Sequence, residues 1–595
     1  MLFLHLLSFY FFPLFLLVLF LFLCYSLITT TPTDHKNLPP PSPPKLPIVG
    51  NLHQLGLFPH RSLRSLAQKY GPLMQLHFGS VPILIVSSAV AAREIMKTHD
   101  LAFSSRPKTI NGSKLIYDCK DVALSPYGKY WRQVRSICVV HLLSNRMVQS
   151  FQNVRKEETA LMIENIKNSS SSSSSSLVNL TDMFVTVTNN IACRVALGKK
   201  YSGTKGGRRF KELLATLGEL MGAFNVGDYI PWLVWMNRLN GLDAKVENIS
   251  KEIDEFLEGV VEEHVDRSKR DDSYSVNVGN ENKHRFVDLL LQIQPENTSG
   301  SLVDRDTIKA LILLVLDVMW PYPTPITIYY APHVSTTQYK FVSPTASTNH
   351  NTTNHSSVGI SRAMLQIQPI TSRDKKGGAR CLHVLLGWHY PFGDMFVAGT
   401  DTKFTTMEWT MAELLKHPRI MKKLQNEVRE IAKGKLNITK DDLVNMHYLK
   451  AVIKESLRIH PPVFLVPRES IQETKVMGYD IVAGMQVFVN AWAIGRDPLS
   501  WEDPEEFRPE RFLNSSIDFK GHDFEFIPFG AGRRGCPGTL FAMNVNELAL
   551  ASVVYKFDLS LPDGSSGEDL DMTEAVGLII HKKTPLIVVP TPYSC

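Results

Sequence analysis

Apolar positions fill residues 1–28 almost without a break, interrupted only by His5, Ser8, Pro13 and Ser26. About 20 apolar residues cross a bilayer core, so this run is long enough to span with some tilt or a kink at Pro13. It is longer than a signal-peptide core and no basic segment precedes it, so it reads as a retained signal-anchor. Lys36, Lys45, Arg61, Arg64 and Lys69 follow the run and place the rest of the chain on the cytoplasmic side. Within the hinge at residues 29–50, the run Leu38-Pro-Pro-Pro-Ser-Pro-Pro-Lys-Leu-Pro47 cannot be helical and reads as a stiff polyproline II spacer. From Asn51 a globular pattern begins. Leu73–Phe78 and Pro82–Ser87 alternate or run apolar, as strands do. Tyr127–Arg135 opens a helix that puts Trp131 and Arg135 on one face. The serine octet Ser169–Ser176 and the polar stretch Arg267–Lys283 read as flexible connections.

One break in the pattern stands out. Asp304–Leu313 reads as half of a long apolar helix, and Asp394-Met-Phe-Val-Ala-Gly-Thr400 carries the other half. Joined directly, Ile308, Ile312 and Met395 would form one stripe. Residues 314–393 intervene, with prolines at 321, 323, 325, 332, 344, 369 and 391 and no sustained helical period. Closing a loop of this length costs about 4 kcal/mol, set against a usual total stability of roughly 5–15 kcal/mol. The cut also leaves up to about four unpaired backbone groups on each side. The segment reads as translated non-coding sequence, a retained intron or a faulty gene model, with a functional insert as the alternative. Its left edge is open by several residues, because Leu316-Asp-Val-Met319 mimics Leu313 followed by Asp394-Met-Phe.

Composition adds little beyond exclusions. A net charge of +6 on 595 residues does not point to nucleic acid. The seven cysteines are scattered without a C-x-x-C pair, which argues against a disulfide framework or a zinc site and fits a reducing compartment.

The chemistry gathers in Phe529-Gly-Ala-Gly-Arg-Arg-Gly-Cys536-Pro-Gly538. A thiol titrates near about 8.5, so a lasting thiolate needs a cation or oriented N–H groups. Pro537 is expected at the first position of the next helix, which would set Cys536 at its positive end, and Arg534 adds a cation. Gly530, Gly532, Gly535 and Gly538 leave the backbone free to turn and to approach a flat ligand.

The complete run F-x-x-G-x-R-x-C-x-G resembles the haem-binding loop of the cytochrome P450 superfamily. With the Leu-Pro hinge and Ala398-Gly-Thr-Asp-Thr402, the chain is similar to the plant A-type microsomal group over residues 38–313 and 394–590. That resemblance implies a mainly α fold with small β-sheets behind the anchor, its long central helix interrupted by 314–393. It implies heme b with an axial thiolate from Cys536, which favours O–O cleavage. Phe529, Arg534 and Gly538 would complete the cofactor loop, and Trp131, Arg135 and Arg468 would meet the propionates. On the oxygen side, Ala398 and Gly399 would give room, Thr402 would donate a hydrogen bond and Asp401 would relay a proton. Lys403 departs from the small residue usual after this motif. Glu455 and Arg458, with Arg511, match the family's charge triad. The implied partners are O2, a small lipophilic substrate and a membrane-bound NADPH–cytochrome reductase, at the endoplasmic reticulum membrane. Arg132, Lys416, Arg419, Lys422, Lys423 and Arg533 form either a basic docking face for that reductase or a solvated surface. Two functional readings stay open: a haem monooxygenase, or an inactive or misfolding isoform whose oxygen-side helix is split.

Overall fold

The computed structural model describes residues 13–20, 22, 38–171, 177–200, 205–271, 285–293, 303–316, 401–575, 577 and 579–593. All of them belong to one unit, Met1–Pro321 with His389–Cys595. Most of the expected anchor, Ala398, Gly399 and residues 317–393 of the intervening segment lie outside the described residues.

Helix α1 (Pro59–Tyr70) starts on proline, where the missing N–H costs nothing. Strands β1 (Leu73–Phe78) and β2 (Val81–Val86) follow as an antiparallel hairpin. Then come α2 (Ile110–Leu115), α3 (Lys129–Ile137) and α4 (Gln152–Ser171). Strand β3 (Val178–Asn179) leads into α5 (Leu180–Leu197), where the Asn179 side chain accepts from the Asp182 N–H as N-cap. Next are α6 (Leu242–Asp271), α7 (Arg305–Leu316), α8 (Asp401–Lys416), α9 (Pro418–Ile431) and α10 (His447–Ile459). Strands β4 (Leu465–Glu469), β5 (Thr474–Val476), β6 (Tyr479–Ile481) and β7 (Gln486–Asn490) precede the cysteine loop. After it come α11 (Thr539–Lys556), β8 (Phe557–Ser560) and β9 (Ile587–Pro592).

The larger sheet runs β1-β2-β7-β4, with β2 and β7 parallel and the outer pairs antiparallel. A smaller sheet runs β3-β9-β8, and β5 pairs with β6. The helices make the other layer. Every residue of α8 from Lys403 to Leu415 is buried, polar ones included, so this helix is core on all sides. It packs against α5, α10 and α11, and α7 packs against α5. Ile308, Ile312, Phe404, Met411, Val452 and Leu550 join one apolar cluster.

Several boundaries differ from the sequence reading. The α3 helix starts at Lys129, two residues after Tyr127, because the extended Gly128 stands outside it as N-cap. Ser169–Ser171 continue α4, and α6 runs on to Asp271, so each expected connection begins later than its composition suggests. The α7 helix reaches Leu316, carrying the apolar period past Leu313. Residues 13–20 are helical, with Leu14 and Phe15 55% and 63% exposed. Among the described residues no helix is long and apolar enough to cross a membrane.

Candidate active site

The cysteine loop is shaped by its own backbone. The Cys536 N–H donates to Phe529 O at 2.9 Å, and the Gly535 N–H to Gly532 O at 2.9 Å. Gly530 and Gly532 adopt φ of +66° and +65°, where a side chain is strained. A Cβ on Gly532 would also stand 2.3 Å from Met96 O, so only glycine lets the loop approach that segment. Asp100 pins the outer edge, accepting from the Arg533 N–H at 3.1 Å and pairing with its side chain at 3.1 Å.

The helix after the loop begins later than expected. Its first residue is Thr539 and its N-cap is Gly538, so Pro537 lies ahead of the helix rather than in it. The Thr539 hydroxyl donates to Cys536 O at 3.1 Å and holds the intervening turn. Cys536 is exposed, whereas Cys119, Cys138 and Cys193 are buried. Crowding by protein pushes its thiol pKa up; the N–H of Gly538, the Thr539 hydroxyl and the Arg135 guanidinium pull the other way without prevailing.

Two arginines reach the loop from other elements. Arg468 on β4 donates Nη2 to Ala531 O at 2.9 Å, while its buried Nη1 has no partner among the described residues. Burial lowers its pKa to about 10, so it stays charged. Arg135 on α3 donates Nη2 to Gly535 O at 2.7 Å. A buried guanidinium with an idle N–H calls for an anion, carboxylate or phosphate being the geometric match.

Trp131 and Arg534 are placed differently. The Trp131 Nε1–H donates to Val122 O at 2.8 Å. Arg534 donates Nε to Ser104 O at 2.7 Å and Nη2 to Ser125 O at 2.6 Å, and its guanidinium lies 4.1 Å from the Trp131 ring centroid. Its charge is thus turned toward residues 104–125, although the sequence sets it two positions from Cys536. The Phe529 ring packs edge-on against Phe519, and a Cβ on Gly538 would stand 3.9 Å from Cys536 Sγ.

Asp401 and Thr402 open the described part of α8. Asp401 Oδ1 is buried without a hydrogen-bond partner among the described residues, and burial raises its pKa well above its ordinary value. Thr402 O accepts from the Thr406 hydroxyl at 2.7 Å. Lys403 faces inward: it is 2% exposed, and its Nζ has no hydrogen-bond partner among the described residues and lies 4.6 Å from the Phe541 ring centroid on α11. Burial, helped by the Arg155 guanidinium, lowers its pKa to about 7.

Glu455, Arg458 and Arg511 meet as a buried unit. Arg458 donates Nε to Glu455 Oε2 and Nη2 to Oε1, both at 2.8 Å, and Arg511 Nε donates to Oε1 at 2.9 Å. Arg458 Nη1 also donates to Gly495 O at 2.6 Å and Pro504 O at 2.7 Å, tying α10 to the chain that leads into the cysteine loop. Of the six surface cations, Lys423 pairs with Glu510 at 2.8 Å and Arg533 with Asp100.

Sequence reasoning passed over two groups. Asp121 is buried, accepts from the Leu124 N–H at 2.7 Å and sits in the field of Arg534; burial raises its pKa to about 6. Glu413 on α8 bonds His460 Nε2 at 2.7 Å and contacts His417 at 3.3 Å, with Trp409 stacked on His460 at 4.1 Å. The four-residue spacing of Glu413 and His417 was a visible signal; the approach of His460 was not.

The sequence model of a family described as Cytochrome P450 matches residues 40–317 and 390–589. Cytochrome P450 736A117 of Prunus mume is 50% identical over 584 residues, spanning 97% of this chain and 95% of that protein. Norfluorocurarine oxidase of a Strychnos species is 48% identical over 578 residues, spanning 97% and 96%. A solved zebra fish cytochrome P450 with abiraterone matches at a TM-score of 0.64 and 21% identity, covering 90% of this chain and 100% of that one; this likeness bears on the fold alone.

Proposed function

We propose, for a chain that belongs to the cytochrome P450 family and is a haem-thiolate monooxygenase, that Cys536 is the axial ligand and that the enzyme oxidises a small lipophilic plant specialised metabolite. The observation that carries the assignment is the exposed thiol in a glycine loop to which Arg468 bonds, with its Nη1 left without a partner among the described residues. When bound, haem supplies oxygen activation, and electron donation from a thiolate favours O–O cleavage. Arg135 and Arg468 are the residues suited to hold its two carboxylates, neutralising charge that burial would otherwise make costly. On this reading Trp131 and Arg534 also belong to that edge, their N–H groups being turned to Val122 O, Ser104 O and Ser125 O.

The rest of the site manages water and protons. Asp401, whose pKa burial raises, is assigned the proton relay at the start of α8, and the Thr402 hydroxyl beside it the hydrogen bond to the oxygen side. Ala398 and Gly399, just before them, would leave room for the flat cofactor. In Thr402→Ala, substrate binding should persist while NADPH electrons are diverted into peroxide. Unchanged coupling of NADPH to product would remove Thr402 from the reaction.

P450 enzymes draw electrons from a redox partner; here we assign that role to an NADPH–cytochrome reductase. Arg132, Lys416, Arg419 and Lys422 are the cations left to meet it once Lys423 and Arg533 are counted as paired. Residues 1–28 would anchor the enzyme in the endoplasmic reticulum membrane, a reading supported by the outward apolar side chains of residues 13–20. A second reading, an inactive or misfolding isoform, is favoured by residues 318–389, which the family match leaves out.

A further inference from the structure

Asp121 is 1% exposed, and the proposed reaction gives it no task. Its carboxylate sits inside the turn 121–125, where Oδ1 accepts from the Leu124 N–H at 2.7 Å. Oδ2 is buried without a hydrogen-bond partner among the described residues. The carbonyls of the same turn hold two residues of the proposed cofactor edge. Val122 O accepts from Trp131 Nε1 at 2.8 Å and from Arg534 Nη1 at 3.4 Å. Ser125 O accepts from Arg534 Nη2 at 2.6 Å. One carboxylate thus folds the turn from within, and the turn grips Trp131 and Arg534 from without.

Charge gives the arrangement a second meaning. Arg135, Arg468 and Arg534 lie in one another's field, and their repulsion adds to the burial that lowers the pKa of Arg468 and of Arg534. Asp121 is the carboxylate that favours the charged form of Arg534. Asp100, which favours charged Arg468, is itself paired with Arg533. The two carboxylates of a bound haem would meet two of the three guanidiniums and leave one positive charge over. A buried charge without compensation is costly.

We infer that Asp121 is the internal counter-ion of the Arg135–Arg468–Arg534 cluster and the positioning residue for Trp131 and Arg534. The counter-ion half rests on the proposed haem site; the positioning half does not. Burial raises the Asp121 pKa to about 6, so the group is ionised at pH 8.

Two substitutions in the full-length holoenzyme at pH 8 separate the charge from the hydrogen bond. Asp121→Asn keeps an acceptor for the Leu124 N–H and removes the charge. A buried negative charge opposes an added electron, so its loss should shift the ferric–ferrous equilibrium about tenfold toward ferrous, about 59 mV upward in a redox titration. Hydrogen exchange of the Leu124 amide and the Trp131 indole N–H should stay within about threefold of the parent. Asp121→Glu keeps the charge and displaces the acceptor, so the potential should hold while both exchange rates rise about tenfold.

A parent-like potential in Asp121→Asn would overturn the counter-ion and leave the haem reading intact. A tenfold shift in Asp121→Glu, where the charge survives, would overturn it even if Asp121→Asn lost haem. Exchange unmoved by Asp121→Glu would overturn the positioning role. A parent chain without the thiolate carbon monoxide signature would overturn the haem reading and the counter-ion together, while exchange would still decide the positioning role.

Discussion

The two faces of the site are built in opposite ways. The cysteine face is one contiguous stretch, closed by hydrogen bonds among residues 527–536 and anchored by Asp100, Arg135 and Arg468. The proposed oxygen face draws on α7 and α8, whose described ends, Leu316 and Asp401, are far apart in sequence. The difference teaches where each face is vulnerable. A local loop is specified by glycine conformations and short hydrogen bonds, so its weak point is where it is tied to the core. A helix in two pieces depends on what joins them.

The largest effect is expected where the cysteine face is tied to the core. Glu455→Gln removes the carboxylate that Arg458 and Arg511 share, leaving Arg458 buried and poorly compensated. Breaking a buried pair in this way costs about 3–5 kcal/mol. Thermal unfolding and haem retention should both fall sharply; a variant with wild-type melting would mean that the meander is held by something else.

Joining the oxygen face comes next. Deleting residues 314–393 removes a loop whose closure costs up to about 4 kcal/mol and restores one apolar stripe from Ile308 through Met395. The deletion protein should express better, retain more haem and melt higher. Equal haem occupancy and equal melting in both proteins would show that the core tolerates the segment, and the inactive-isoform reading would go.

The smallest of the three concerns the seam between the faces, where Lys403 lies on Phe541. Its folded pKa of about 7 is below the 10.5 of the free side chain, so the unfolded chain binds the extra proton between those values. Stability should therefore rise with pH across that window, and the penalty is fully present below about 7. Lys403→Met should stabilise the protein by about 1–3 kcal/mol at neutral pH and flatten that slope. Denaturant titrations at two pH values decide it; a destabilised variant would mean that Nζ has a partner.

Much of the cysteine face was legible in the sequence because its determinants are local: Gly530 and Gly532 announce positive φ, and Glu455 and Arg458 are three apart. Less could be read where partners come from afar. Nothing near Arg534 in sequence shows that its guanidinium turns to Ser104 and Ser125, and nothing near Trp131 shows its indole spent on Val122. Lys403 was visible as an oddity, but its burial depends on α11 packing over α8. Pro537 misled for a local reason: proline fits a first helical turn, yet Gly538 took the cap and delayed the helix to Thr539.

The central claim is that Cys536 binds haem iron as a thiolate, and the reduced carbon monoxide complex reports on it directly. Cys536→Ala, compared with the parent at matched protein concentration, should lose the thiolate absorption signature of that complex. Survival of the signature in Cys536→Ala would contradict the assignment.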